Sequence, residues 1–397
     1  MKILVINCGS SSLKYQLVDM NGEVVLCKGL CDRIGIDGSS ITHKAHGKEF
    51  KKEVALPDHS EAFSQMVAVM TEGEGAVVAD KSEITAVGHR VVHGGEKFSA
   101  STIVTDEVIA TLEECSPLAP LHNPPNLQGL QSARQVFGDK VPQVAVFDTA
   151  FHQTMPAKAY MYAVPYEYYE KYAIRRYGFH GTSHRYVSAR AAEFLGKKPE
   201  DLKIVTCHLG NGSSIAAVNG GKSVDTSMGL TPVAGLIMGT RTGDVDPGVI
   251  CYMNDLTGKS GGDMSNILNK QSGFLGVSGL SSDARDLESA AADGNARAQL
   301  VMEMLPYQIK KFVGSYIAAM NGVDAVVFTG GIGENSSSVR ANVCKEMEFL
   351  GMKVDDEKNK KRGEDFDFST DDSKVRLLVI PTDEELMIAR DTLELVK

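Results

Sequence analysis

The stretch Lys2-Ile3-Leu4-Val5-Ile6-Asn7-Cys8-Gly9-Ser10-Ser11-Ser12-Leu13-Lys14-Tyr15-Gln16-Leu17-Val18 decides the reading of this chain. Its apolar run breaks at Asn7, passes through a Gly/Ser turn and resumes from Leu13, and Asn21-Gly22 offers the next hairpin turn. The pattern predicts strand, turn, strand. The turn is rich in backbone N–H groups and hydroxyls and has one lysine at its far edge, the chemistry that holds a polyphosphate and its metal ion. The same composition also makes ordinary turns. The pattern returns in Ile204-Val205-Thr206-Cys207-His208-Leu209-Gly210-Asn211-Gly212-Ser213-Ser214-Ile215-Ala216-Ala217-Val218, followed by Asn219-Gly220. A similar hairpin early in each half predicts one fold used twice, with a nucleotide between the copies. A third glycine turn, Gly330-Gly331-Ile332-Gly333-Glu334-Asn335, follows the strand-like Ala325 to Phe328 and precedes a helix-like segment.

With 397 residues, 43% hydrophobic and 23% charged, the chain suits a globular protein of two domains. A formal net charge of -10 argues against a nucleic-acid or anionic-membrane partner. Any anionic ligand must then meet locally placed cations. Seven scattered cysteines without a Cys-x-x-Cys pair fit a reducing cytosol, no apolar run approaches membrane-span length, and the N-terminus lacks a signal-peptide core. The expected location is cytoplasmic.

Between the hairpins, residues 24–56 read as further strands and 60–72 as a helix behind a serine cap. The strand Ile84 to Val91 runs into His93-Gly94-Gly95, which puts Arg90 where a strand opens onto a cleft or, equally, in a surface ion pair. Residues 106–115 and 126–137 read as helices, joined by a stiff connection holding Pro117, Pro120, Pro124, Pro125 and His122. A strand from Val141 to Phe147 ends in Asp148, a common catalytic position and a common helix cap. The helix after Phe179-His180-Gly181 is expected to be capped by Thr182 or Ser183 and to aim its N–H groups at an anion near His180, which reads equally as a structural histidine. Residues 227–248 form a long glycine- and proline-rich loop around Arg241, a second anion-binding candidate. Asp283-Ala284-Arg285 opens a helix, Pro306 is expected to kink or break the helical stretch 295–321, and Glu384 lies at the first turn of a terminal helix, where simple capping also explains it.

Taken together, Asn7 to Lys14, His208 to Ser214, the Phe179-His180-Gly181-Thr182-Ser183-His184 block, the Arg241 loop and Gly330 to Asn335 closely resemble the acetate kinase family, from residue 2 to the terminal helix. The resemblance implies an α/β fold of two duplicated ribonuclease H-like domains of the actin/Hsp70 type, with a nucleotide cleft between them. It implies an N-terminal domain 1–150 completed by the terminal helix 384–397, and a C-terminal nucleotide-binding domain 151–383. The implied assembly is a homodimer, and the implied reaction transfers the ATP γ-phosphoryl group to acetate, giving acetyl phosphate and ADP. Carried over residue by residue, it implies Asn7 and Glu384 at Mg²⁺, or Mn²⁺, and Lys14 at ATP. It implies His208, Leu209, Gly210, Asn211, Gly212, Asp283, Ala284, Arg285, Gly331, Ile332, Gly333, Glu334 and Asn335 around the nucleotide. Arg90, Asp148, His180 and Arg241 would form the catalytic cluster, with Arg90 on the carboxylate. Val92, Leu121, Phe179 and Pro232 would line the methyl pocket, and His122 would lie nearby. A propionate or butyrate kinase would use the same machinery, and a nucleotide-switched binding protein would share the fold without the acyl acceptor.

Overall fold

The computed structural model describes all 397 residues, which divide into two compact units: Met1–Phe151 with Asp383–Lys397, and His152–Thr382. Unit 1 is built on an eight-stranded sheet of β1 (Lys2–Cys8), β2 (Ser12–Asp19), β3 (Val24–Asp32), β4 (Ser40–Ala45), β5 (Lys48–Glu53), β6 (Ile84–Val91), β7 (Thr102–Ile103) and β8 (Gln143–Phe147). Its order is β5-β4-β3-β2-β1-β6-β8-β7. The opening hairpin is antiparallel, β6 and β8 add in parallel beside β1, and β7 closes the edge antiparallel to β8.

Unit 2 repeats the plan with β9 (Lys203–Leu209), β10 (Ser213–Asn219), β11 (Lys222–Thr226), β12 (Ala325–Thr329), β13 (Phe366–Asp367) and β14 (Arg376–Val379), in the order β11-β10-β9-β12-β14-β13. Here too the hairpin is antiparallel, β12 and β14 are parallel, and the edge strand β13 is antiparallel. The shared core is β3-β2-β1-β6-β8 in unit 1 and β11-β10-β9-β12-β14 in unit 2. The duplicated fold expected from the two hairpins is present, and unit 1 extends it by β4 and β5.

The central strands are apolar on both faces because both faces are covered. In β1, Leu4, Ile6 and Cys8 join a core with Ala62, Phe63, Met66 and Met70 of helix His59–Thr71, while Ile3 and Val5 pack with Ile388 and Ala389 of helix Glu384–Val396. In β9, Val205, Cys207 and Leu209 enter a core with Leu305, Ile309 and Val313 of helix Ala296–Met320. No helix is long and apolar enough to cross a membrane.

Four local expectations are corrected. The first helix is capped by Asp58, whose carboxylate accepts from Glu61 N–H at 2.9 Å; Ser60 falls inside the first turn. Pro124 and Pro125 lie within helix Asn123–Phe137, in the first turn, where the missing N–H groups had no intrahelical partner to lose. Neither Thr182 nor Ser183 caps helix Gly181–Phe194; its N-cap is His180, in left-handed backbone with φ 54° and no side-chain cap. Pro306 neither breaks nor ends the helix Ala296–Met320, because it is buried beside Leu305 and Ile309 and packing carries the helix past one absent hydrogen bond.

Candidate active site

In unit 1 the alternation of the strands places the candidate residues. Ile3 and Val5 of β1, Ala86 of β6 and Val144 and Val146 of β8 form one layer with the terminal helix. Following each strand two residues at a time along that face reaches Asn7, Arg90 and Asp148, all at the carboxyl ends of their strands. Lys14 is directly opposite Asn7 in the hairpin register and shares the face. Helix Glu384–Val396 lies against the same layer and begins with Glu384. It approaches closely because β6 has Gly88 beneath it, where an added Cβ would come within 2.4 Å of Thr392 Oγ1.

The charges on this face are paired in a defined way. Arg90 Nε donates to Asp148 Oδ1 at 3.0 Å and a terminal nitrogen donates to Oδ2 at 2.6 Å, a bidentate pair around a carboxylate that is 1% exposed. Asp148, with Glu384 and Glu385, holds the guanidinium firmly protonated against the cost of its burial. Burial pushes the Glu384 carboxyl up to about 7; Arg90 opposes the shift and the negative charge of Asp148 adds to it.

The turns beyond the strands are fixed by residues that no motif flagged. Asn126 accepts from Val92 N–H at 3.0 Å and donates to the Cys8 carbonyl at 2.8 Å, while Asn123 both accepts from His93 N–H and donates to its carbonyl. His59 Nε2 lies 2.8 Å from the Gly9 carbonyl. The only sequence signal for this bracing is a pair of asparagines three apart at a proline-marked helix start. Val92 is half-buried, His122 is the N-cap of helix Asn123–Phe137, and Leu121 is 59% exposed.

In unit 2 a cavity of about 690 Å³ brings together three of the predicted segments. Gly210 and Asn211 line it from the β9–β10 turn, Asp283, Ala284 and Arg285 from a helix start, and Gly331, Ile332 and Asn335 from the turn after β12. Asp283 caps helix Ala284–Ala292 and pairs with Arg285 through two further hydrogen bonds, which hold its carboxyl down to about 2. The third glycine turn is itself a short helix, Gly330–Asn335. Gly330 has φ 76°, and a Cβ there would sit 2.7 Å from the Leu209 carbonyl oxygen.

Other predicted residues stand behind the cavity. Leu209 and Gly333 are buried, and the Glu334 carboxylate turns back to accept from Gly330 N–H at 2.8 Å. Gly212 and His208 border a second group of side chains. The His208 and His180 rings stack with centroids 4.2 Å apart, and Ser183 Oγ lies 2.8 Å from His208 Nδ1. A Cβ on Gly212 would meet an Arg241 nitrogen at 3.4 Å and His180 Nε2 at 3.5 Å, so turn, arginine and histidine converge. Arg241 donates to the Pro232 carbonyl at 3.1 Å, and its loop is tied to the turn by Gly239 N–H on the Asn211 carbonyl. Phe179 is buried, with its carbonyl 3.0 Å from His152 Nε2.

Sequence reasoning missed Phe274, Ser282, Glu288, Ser336 and Arg362 as cavity-lining residues. It also missed Arg340, a fully buried guanidinium that donates to the carbonyls of Gly333 and Glu334 and, at Asn359, to both the side-chain and backbone oxygens. It braces the third turn from below.

The donor set can be tested against a hard divalent ion. Asn7 and Glu384 offer oxygen atoms at one end of the unit 1 face, and no group of three or more His, Cys, Asp or Glu side chains forms a cage. One carboxylate and one amide oxygen are hard donors of the kind Mg²⁺ accepts, with waters and substrate phosphates completing its shell.

A five-stranded core used twice, with two glycine turns lining one cavity in the second copy, defines a duplicated α/β protein of the ribonuclease H-like class. Residues 2–390 match the model of the acetokinase family, and the chain belongs to that family. It is 59% identical over 392 residues to the acetate kinase of Natranaerobius thermophilus, covering 98% of each chain. Among solved structures it resembles Porphyromonas gingivalis acetate kinase at TM-score 0.96 and 50% identity, with both chains covered fully. A propionate kinase of Francisella tularensis follows at TM-score 0.93 and 42% identity, again over the full length of both.

Proposed function

We propose that this chain catalyses reversible transfer of the ATP γ-phosphoryl group to acetate, forming acetyl phosphate and ADP. Convergence of the three glycine-bearing and helix-start segments on one cavity in unit 2 is the observation that carries the nucleotide half of the reading. Family membership carries the acceptor half.

Acetate, with a carboxyl pKa near 4, is already an anionic nucleophile at neutral pH and needs no general base. A carboxylate oxygen forms a bond to the γ-phosphorus as the bond to the β-bridging oxygen breaks, and the electron pair leaves on ADP. The difficulty is charge: two anions must meet, and negative charge spreads over the transferring group. Arg90, held in plane by Asp148, binds the acetate carboxylate. Asp148 therefore acts as an orienting partner rather than a proton carrier. Arg241 and His180 neutralise the transferring group, Lys14 and the β9–β10 turn hold phosphates, and Val92, Leu121, Phe179 and Pro232 contact the methyl group. Asn7 and Glu384 would hold Mg²⁺, or Mn²⁺ in its place, which when bound offsets the charge of the ATP oxygens. The enzyme is expected to work as a cytoplasmic homodimer.

A hydroxamate assay with MgATP and acetate, propionate and butyrate in parallel tests the reading. Acetate-dependent acyl hydroxamate supports it. Preference for propionate would move the chain toward the function named for the Francisella structure, since one methylene discriminates by only about 1–3 kcal/mol. No product with any acid, despite nucleotide binding, would overturn it in favour of a nucleotide switch. Arg241→Ala should lower kcat by about 10²–10³-fold while acetate KM changes little, because its contact strengthens in the transition state.

A further inference from the structure

Behind His180 lies a line of buried polar groups that the reaction as described does not use. His180 Nδ1 is 2.9 Å from Ser214 Oγ, the same hydroxyl is 2.7 Å from His184 Nε2, and His184 Nδ1 is 2.7 Å from Thr206 Oγ1. Ser214, His184 and Thr206 are all fully buried. The fold brings them together by simple periodicity. Ser214 pairs with His208 and Ala216 with Thr206 across the β9–β10 hairpin, so Thr206, His208 and Ser214 share one face. Helix Gly181–Phe194 covers that face, and His184 donates its backbone N–H to the His180 carbonyl one turn back.

We propose that Ser214, backed by His184 and Thr206, is a positioning residue that fixes the His180 ring with Nδ1 inward and Nε2 toward the transferring phosphoryl group. The proposal rests on the reading of His180 as a phosphoryl-binding residue. Three features of the geometry support it. First, the Nε2 edge of His180 already faces the Gly212 turn and the Arg241 guanidinium. Second, His180 is the N-cap of helix Gly181–Phe194 without a side-chain capping bond, so the helix start does not itself set the direction of the ring. Third, the hydroxyl can serve both charge states of the ring. It accepts from Nδ1–H when His180 is cationic and donates to Nδ1 when His180 is neutral, and either way Nε2 carries the outward proton.

His184 makes this two-way behaviour work. Burial, together with the nearby His152 and His208, keeps it neutral, so it always has one N–H and one bare nitrogen to complement the hydroxyl. The stacked His208 ring and Arg241 also face His180.

The test is a double-mutant cycle on the full chain, read as acyl hydroxamate formation. Ser214→Ala alone should lower kcat roughly tenfold, the order of one orienting hydrogen bond, with ATP and acetate KM nearly unchanged. Ser214→Cys, which keeps a weaker donor of similar size, should recover part of the loss. In a His180→Ala background, Ser214→Ala should produce no further loss, because its effect passes through the ring it holds. An equal loss in both backgrounds would mean that Ser214 acts through packing, and the proposal would be wrong. Full activity of His180→Ala would overturn the reading of His180 itself, which is a separate result. Should Ser214→Ala fold poorly, ¹⁵N shifts of His180 in Ser214→Cys report whether Nε2 remains the protonated outward nitrogen; a mixed tautomer population in the unaltered chain would also sink the idea.

Discussion

Strands β1 and β9 open two copies of one scaffold, and the copies equip the same place differently. In each, the hairpin strand ends in a glycine turn, the next two strands are parallel, and a helix begins beside the strand ends. In unit 1 that place gathers formal charge: Lys14, Arg90, Asp148 and Glu384 around Asn7. In unit 2 it gathers imidazoles and hydroxyls, with His180, His184, His208, Thr206 and Ser214 linked by hydrogen bonds and ring stacking. The scaffold therefore specifies where chemistry sits and leaves open what kind. Charge on unit 1 must be paired to survive burial, whereas in unit 2 the fully buried rings of His152 and His184 stay neutral and are satisfied by hydrogen bonds.

The difference can be broken most directly at the ion pair. Arg90→Ala leaves a carboxylate that is 1% exposed without its bidentate partner, and should cost about 3–5 kcal/mol in denaturant unfolding as well as nearly all acyl transfer. Arg90→Met with Asp148→Leu should restore most of the stability and none of the activity. An unchanged unfolding midpoint for Arg90→Ala would mean that the pair is not what holds this end of unit 1 together.

Acid should expose the other side of the contrast. Burial holds His89 of unit 1 down to about 4, His152 of unit 2 down to about 4, and His184 of unit 2 well below its ordinary value. A histidine whose folded pKa is depressed contributes stability above about pH 6.5 and loses it as pH falls toward 4, up to roughly 3 kcal/mol each for His89 and His152. Unit 1 adds His43, which burial also holds below its ordinary value, but in unit 2 the His152 and His184 rings lie 5.7 Å apart and each opposes protonation of the other, so unit 2 should loosen first, seen as earlier hydrogen exchange of β9 and β10 than of β1 and β2. The reverse order would contradict the account.

Smaller effects sharpen the nucleotide side. Gly330→Ala forces a Cβ against the Leu209 carbonyl at φ 76°, and should cost about 1–3 kcal/mol while raising ATP KM more than acetate KM. Asp283→Ala removes a helix cap and should cost about 1 kcal/mol, the exposed Asp283–Arg285 pair adding little. A larger loss there would assign the pair a structural weight that its exposure does not predict.

The duplicated fold was legible because both hairpins carry the same strand–glycine–strand pattern in consecutive residues. Much of the site was not, for physical reasons. That Asp148 would close on Arg90 depends on β8 pairing with β6, and period-2 alternation reveals the shared face only once that register is known. Asn123 and Asn126 look like solvent-exposed helix-start residues until the turns they brace are in place. Arg362 and Arg340 sit in a polar stretch and an ordinary helix, with no local pattern to mark one as cavity-lining and the other as buried. Pro306 shows the opposite failure, a strong local rule overridden by packing on both sides of it.

The terminal helix that covers Ile3, Val5, Ala86 and Val144 also imposes a timetable on the nascent chain. Unit 2 has its corresponding helix, Gly181–Phe194, made before its strands and ready to cover them as they emerge. The sheet of unit 1 is synthesised first, yet one apolar face stays open until Ile388 and Ala389 leave the ribosome, after all of unit 2. A ribosome that stalls short of Glu384 would release a chain whose later half is closed and whose earlier half is sticky, the form that chaperones and proteases are suited to seize.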